Sequence, residues 1–312
     1  MASCTIPKEN VSKLIFTLIT GMVVFACNQN SSKEGLIADK PDNGTIYISV
    51  DESFKPVITE EIKVYESTYP NAHIIASYKA EADCFRDLQK DSTRMIIVAK
   101  GLTKDESAVY ESRLSYKPEW DILAYDAVDV IVNPASKDSI FTLQRLQDLL
   151  SGKDTGKIMV VDGKNATSTA RYLLDSVLNG KPFGKNVMAA QGSKAVIDYV
   201  IRNTDAVGFV GSSWVGNDDD PEQLAYANKI TMAVLECKYC KKGIFAKPSQ
   251  ATITYNQYPL VRPLYYILKE NTTGLGRAFK NFMTLERGQL IFRRSYLVPG
   301  KMNFNVRSSN IK

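Results

Sequence analysis

Histidine is almost missing from this chain, with His73 the only one in 312 residues. That removes the commoner hydrolytic arrangements, which use an imidazole to move a proton, and no Gly-x-Ser-x-Gly elbow is present. Carboxylate chemistry by Glu81 and Asp83 is an enzymatic route that this does not remove, but no enzyme is expected. Metal is not expected either, because a zinc site needs about four ligands and two of the five cysteines lie in the first 27 residues. A long hydrophobic run is also lacking. The most apolar stretch, Leu14 to Ala26, has 13 residues, well short of the roughly 20 that span a bilayer. Charge of one sign is weak: 39 Lys and Arg stand against 34 Asp and Glu, scattered along the chain, which excludes a nucleic-acid footprint. What remains, 44% hydrophobic and 23% charged, is the composition of a folded globular protein long enough for two α/β lobes.

The first residues read as an address. Lys8 and Lys13 precede the apolar run, and Val24-Phe25-Ala26-Cys27 closes it as a lipobox, so residues 1–26 are expected to be a signal peptide and Cys27 to carry lipid. Asn28-Gln29-Asn30-Ser31-Ser32-Lys33 then begins a polar tether, residues 27–43, that leaves the domain free to move outside the cytoplasm on a membrane anchor. Removing residues 1–26 leaves a mildly basic mature charge of +4. Of the cysteines left, Cys84, Cys237 and Cys240 cannot all pair; Cys237 and Cys240 either close a small disulfide or stay reduced.

From Gly44 the pattern alternates. Strands are expected at Thr45 to Val50, Ala72 to Tyr78 and Arg94 to Val98, with helices from Pro56 through Thr68, around Cys84 to Lys90, and near Lys104 to Ser115. The apolar stretch Trp120 to Val132 follows. A second α/β series then runs through the helix Leu143 to Leu150, the strand Ile158 to Val161, the helices Thr167 to Leu178 and Lys194 to Arg202, and the strand Ala206 to Val210. A strand at Leu264 to Leu268 and a helix at Gly276 to Leu290 complete it. The order predicts parallel sheets covered by helices. Asp218, Asp219 and Asp220 lack an EF-hand spacing and read as a solvated loop.

Five segments in order carry a resemblance: Asp126-Ala-Val-Asp-Val-Ile-Val-Asn-Pro134, Thr142-Leu-Gln-Arg-Leu-Gln-Asp-Leu-Leu-Ser-Gly-Lys153, Ala206-Val-Gly-Phe-Val-Gly211, Tyr258-Pro-Leu-Val-Arg-Pro-Leu-Tyr265, and Arg287-Gly-Gln-Leu-Ile-Phe292 with Tyr296-Leu-Val-Pro299. Together they resemble the substrate-binding proteins of phosphate ABC transporters, the PstS-like group. The resemblance implies an α/β periplasmic-binding-protein type II fold, two lobes joined by two crossing hinge strands. Lobe one would be residues 44–124 and 268–303, and lobe two with the hinge strands residues 125–267.

It also implies a ligand cleft where helix N-termini of both lobes meet, a setting suited to an anion. Ser53 and Phe54 align with the family's hydroxyl-plus-aromatic pair. Thr167, Ser168 and Thr169 stand at the place of its Ser-Gly-Thr helix start. Lys100 stands where the family carries Asp or Arg beside the ligand, and Arg171 lies one turn into the helix within reach of the cleft. Three departures accompany these matches: Glu81 falls where the family has a serine, Asp51 and Glu52 replace small residues, and Gly163 stands where many members place an arginine. A carboxylate facing phosphate is costly unless it is protonated, turned away or paired.

The expected function is therefore capture of an inorganic oxyanion, phosphate first, by a monomeric lipoprotein that serves an ABC transporter permease, with no cofactor and no nucleic-acid partner. The alternative is a PstS-like sensor or surface interaction protein with altered or lost phosphate binding.

Overall fold

The computed structural model describes residues 39–163 and 166–302. The signal segment and Cys27 lie outside them. The first series is β1 (Asn43–Asp51), α1 (Lys55–Thr68), β2 (Asn71–Lys79), α2 (Glu81–Leu88), β3 (Thr93–Val98) and α3 (Lys104–Leu114). Pro56 starts α1, and Val57, Ile58, Ile62 and Tyr65 recur on one buried face at helical spacing, so the helix packs against β1 and β2. Thr103 and Glu106 close a reciprocal cap at the start of α3.

β4 (Glu119–Val132) is the long strand that joins the two halves. Its first part pairs antiparallel with β8 (Val261–Leu268), introduced below with its neighbours, and its second part pairs with a strand of the other series. That other series is α4 (Leu143–Ser151), β5 (Ile158–Val161), α5 (Ser168–Tyr172), β6 (Val187–Ala189), α6 (Ser193–Arg202), β7 (Ala206–Gly211) and α7 (Pro221–Ala227). After β8 the chain returns to the first half as α8 (Leu275–Thr284) and α9 (Glu286–Arg294).

The sheet order is β2-β1-β3-β8-β4-β7-β5-β6. Pairs within each series are parallel, while β8 and β4 are antiparallel to their neighbours. One core gathers β1, α1, α8 and α9 around Phe54, Tyr65, Phe279 and Phe292, and a smaller one lies beneath α2 on the other sheet face. The second half has two cores, one on each face of its sheet. The result is two α/β lobes connected by β4 and by the chain entering β8.

Local structure departs from the periodicity in three places. The helix expected from Thr167 to Leu178 is α5 followed by a π-helical turn, Leu173–Val177. The helix expected from Gly276 to Leu290 breaks at Leu285, whose backbone is extended, and α9 folds back on α8 where Gly288 sits against Met283 and Phe282; a Cβ there would lie 2.5 Å from their backbone atoms. β8 begins at Val261, three residues before the expected strand. Cys237 and Cys240 form a disulfide, and Cys84 is free and buried. Among the described residues no helix is long and apolar enough to cross a membrane.

Candidate functional site

β1 delivers Asp51, Glu52, Ser53 and Phe54 to the boundary between the lobes, where a short 3-10 turn, Glu52–Phe54, leads into α1. From the second lobe, β5 ends at Val161, just before Asp162, and α5 begins at Ser168, capped by Thr167, whose hydroxyl accepts the Ala170 N–H at 3.2 Å. Three hydroxyls meet across the boundary. Ser53 Oγ lies 3.3 Å from both Ser168 Oγ and Thr169 Oγ1, and all three residues are fully buried. So the structure brings Ser53, Ser168 and Thr169 together, with Thr167 alongside through its 2.7 Å bond to Asp162 Oδ1.

The cation at this junction is Arg262, which lies in the Tyr258–Tyr265 segment and was not among the expected site residues. Its side chain is 1% exposed; Nε and Nη2 donate to Asp126 Oδ2 at 3.0 and 2.9 Å, and Nη1 donates to Ser168 Oγ at 2.8 Å and Thr169 Oγ1 at 3.2 Å. Arg262 and Asp126 are register partners on β8 and β4, which fixes the pair. The Phe54 ring lies beneath the guanidinium, 4.8 Å from Cζ, so Phe54 supports the cation from the lobe-one core. Gly211 closes the back: a Cβ there would stand 3.0 Å from Arg262 Nη2 and 3.1 Å from Asp126 Oδ2. A signal for Arg262 did exist in the sequence. A lone arginine in the apolar run Val261–Leu268, opposite Asp126 and Asp129 in an equally apolar strand, asks for a buried partner.

Carboxyl groups crowd the same junction. Asp162 Oδ2 accepts from Ser53 Oγ at 3.4 Å, and Asp51 Oδ1 accepts the Ser53 N–H at 2.9 Å, while Asp51 Oδ2 has no hydrogen-bond partner. Burial pushes the Asp51 carboxyl up to about 7, with the Glu81 charge adding to the effect and Arg262 opposing it. Burial likewise raises Asp162 and Asp126, against their hydroxyl and arginine partners, and holds Asp129 well above the carboxylate range.

Two further carboxylates cross between the lobes. Glu52 accepts the Ser193 N–H at the start of α6 at 3.2 Å and the Ser193 hydroxyl at 2.9 Å. Glu81 accepts the Ala99 N–H at 3.0 Å and is held by Arg171 through Nε and, at 3.1 Å, through Nη2. Glu81 is thus paired, and Arg171 points to it rather than to the hydroxyls. Lys100 lies apart from the cluster: its ammonium bonds Glu106 Oε1 at 3.1 Å and sits 5.5 Å over the Phe85 ring. The Ala82 N–H to Ala166 carbonyl bond at 3.0 Å and the Ser213 hydroxyl on the Ser53 carbonyl at 3.0 Å add to the contact between lobes. Among the described residues no group of three or more acidic, histidine or cysteine side chains is arranged to hold a metal.

Two α/β lobes on crossing strands, with hydroxyls and a guanidinium gathered between them, define a two-lobed ligand-binding protein. The chain belongs to the PBP superfamily, whose domain model matches residues 38–287. The family is one of binding proteins and not of enzymes. No curated protein matches the chain. Among solved structures it is similar to a putative phosphate ABC transporter substrate-binding protein with bound phosphate from Clostridium perfringens, at 18% identity and a TM-score of 0.68, covering 82% of this chain and 99% of that one. It is also similar to an ABC-type phosphate transport receptor from Vibrio cholerae, at 19% identity and a TM-score of 0.59, covering 82% and 100%. The regulatory domain of MetR, a LysR family regulator from N. meningitidis, matches at 13% identity and a TM-score of 0.51, covering 82% and 96%. The binding-protein fold implied by the sequence resemblance therefore holds, at the level of the PBP superfamily, and since a regulator shares that fold, the ligand has to be argued from the site.

Proposed function

We propose that this protein is an exported, lipid-anchored solute-binding protein that captures an inorganic oxyanion, most readily phosphate, between its lobes and presents it to an ABC importer. The observation that supports this reading is the convergence of Ser53 from one lobe with Ser168 and Thr169 from the other around the Arg262 guanidinium. Hydroxyls and a charged N–H fork are the donors that an oxyanion needs, and Asp126 fixes the fork in place. In the arrangement described, the Asp162 carboxylate takes hydrogen bonds from Ser53 and Thr167 that an incoming anion would compete for. Ligand entry therefore requires the lobes to part, and hinge motion about β4 and the entry to β8 supplies the path.

Calorimetry with inorganic phosphate, beside sulfate and nitrate, tests the reading. Saturable binding of phosphate that weakens in Thr169→Ala supports it. Absence of heat or thermal shift with every oxyanion overturns it.

A second reading rests on Glu52 at Ser193 and Glu81 at Arg171, which bridge the lobes with the chain's own carboxylates. A protein closed in this way serves as a sensor or surface partner with altered phosphate binding. Recovery of a transporter permease by pull-down from membranes favours the importer, and recovery of a different membrane partner in phosphate-independent fashion favours the sensor.

A further inference from the structure

Beside the hydroxyl cluster lies a cavity of about 680 Å³, walled by Glu81, Phe85, Lys100, Val109, Tyr110 and Arg171. It is built mainly from α2 and α3 of the first lobe, and Arg171 and Ala166 of the second lobe close one side. Its chemistry is divided. Phe85, Val109 and Tyr110 present apolar surface, and Val109 is 66% exposed. Lys100 and Arg171 also line it, each paired with a carboxylate of the same wall, Lys100 with Glu106 and Arg171 with Glu81 at the inner end. Arg171 lies two residues beyond Thr169 on α5 and holds Glu81, so the inner wall of the cavity stands next to the hydroxyl cluster.

We infer that the natural ligand is an organic oxyanion: a phosphate monoester or phosphonate whose charged group reaches the Ser53, Ser168, Thr169 and Arg262 donors and whose compact apolar or aromatic substituent lies in the Phe85, Val109 and Tyr110 chamber. This rests on the oxyanion reading above and narrows it. A four-oxygen ion leaves the chamber unused, whereas a ring or branched chain removes apolar area from water on both partners. The division of the inner wall between lobes provides the route. Glu81 belongs to the first lobe and Arg171 to the second, so parting the lobes separates the pair and joins chamber and cleft into one trough. Closure then returns Arg171 and Ala166 over the substituent. Lys100, which does not reach the hydroxyls, stands at the chamber's rim over the Phe85 ring, its ammonium paired with Glu106 of the same wall.

The test is calorimetric titration of the purified chain with inorganic phosphate, phenyl phosphate, phenylphosphonate and benzyl alcohol, on the native protein and on Val109→Asp and Phe85→Ala. Val109→Asp changes an exposed position and keeps the test valid if Phe85→Ala fails to fold. The expected result is that phenyl phosphate or phenylphosphonate binds at least about tenfold more tightly than inorganic phosphate, the least that burial of a phenyl ring provides. Val109→Asp then removes that preference while inorganic phosphate affinity stays within about twofold. Equal or weaker binding of both phenyl ligands than of inorganic phosphate overturns the chamber's role and leaves the oxyanion reading standing. Binding of benzyl alcohol as tight as that of phenyl phosphate overturns it as well, since the charged group would then anchor nothing. Failure of all the oxyanions to bind overturns both readings together.

Discussion

Asp51→Asn isolates the least satisfied group in the cleft. The carboxyl is fully buried, one oxygen has no partner, and burial with the nearby Glu81 charge pushes it up to about 7 from an ordinary value of 3.8. The sign follows from linkage. Between those values the folded chain holds a proton that the unfolded chain has released, so this contribution to stability is present in full below about pH 4 and is lost as pH rises through 7. The loss amounts to about 4 kcal/mol by pH 8 for a fully buried group, an upper figure. Asparagine keeps the oxygen that accepts the Ser53 N–H but never ionises, and its buried amide costs about 1–3 kcal/mol instead. The variant should therefore match or fall slightly below the native protein at pH 4.5 and exceed it by about 1–3 kcal/mol at pH 8, several degrees in Tm for a fold of this size. Urea denaturation in phosphate-free buffer at a series of pH values measures the difference directly, and other titrating groups largely cancel in it. A difference that does not change between pH 4.5 and 8 would show that Asp51 stays ionised throughout and would sink the argument.

Arg262→Met should destabilise the fold by about 3–5 kcal/mol in chemical denaturation, because it leaves the Asp126 carboxylate buried without its partner. Thr169→Ala should weaken oxyanion binding by about 1–3 kcal/mol in calorimetry with the melting temperature little changed; unchanged affinity removes Thr169 from the site. Arg171→Gln breaks the Glu81 bridge between lobes, and small-angle scattering should record a larger radius of gyration for the variant, with no change counting against the bridge as a closing contact.

Much of the fold was readable because hydrophobic periodicity and turn residues are local. The alternating strand Thr45 to Val50, Pro56 at a helix start and the two βα series all appear where the pattern puts them. The hydroxyl pairing of Ser53 with Ser168 and Thr169 was readable only through resemblance, since 115 residues separate the first two. Arg262 was missed because its role depends on strand register, which places it opposite Asp126, and register is not written in either segment alone. Lys100 was assigned to the cleft although a local signal pointed elsewhere. The Thr103-Lys-Asp-Glu106 cap fixes Glu106 at the start of α3, six residues from Lys100, and the ion pair follows. The π-helical turn after Tyr172 had no periodic signature, since one added residue per turn is a tertiary adjustment.

The carboxylates that depart from the family pattern fit an anion site once their protonation is considered. Arg262 is paired with Asp126, and the carboxyl beside the cluster whose charge changes near neutral pH is Asp51, pushed up to about 7 by burial. While Asp51 holds its proton the cluster carries one negative charge fewer; once it ionises, the added charge repels the ligand. Oxyanion affinity should accordingly fall as pH rises through about 7, and the fall should be smaller in Asp51→Asn. Comparing the two proteins removes the titration of the ligand itself, which is common to both. An affinity ratio between variant and native protein that stays constant from pH 5.5 to 8 would mean that Asp51 does not face the anion, and the site would then have to be placed outside the Ser53 and Arg262 cluster.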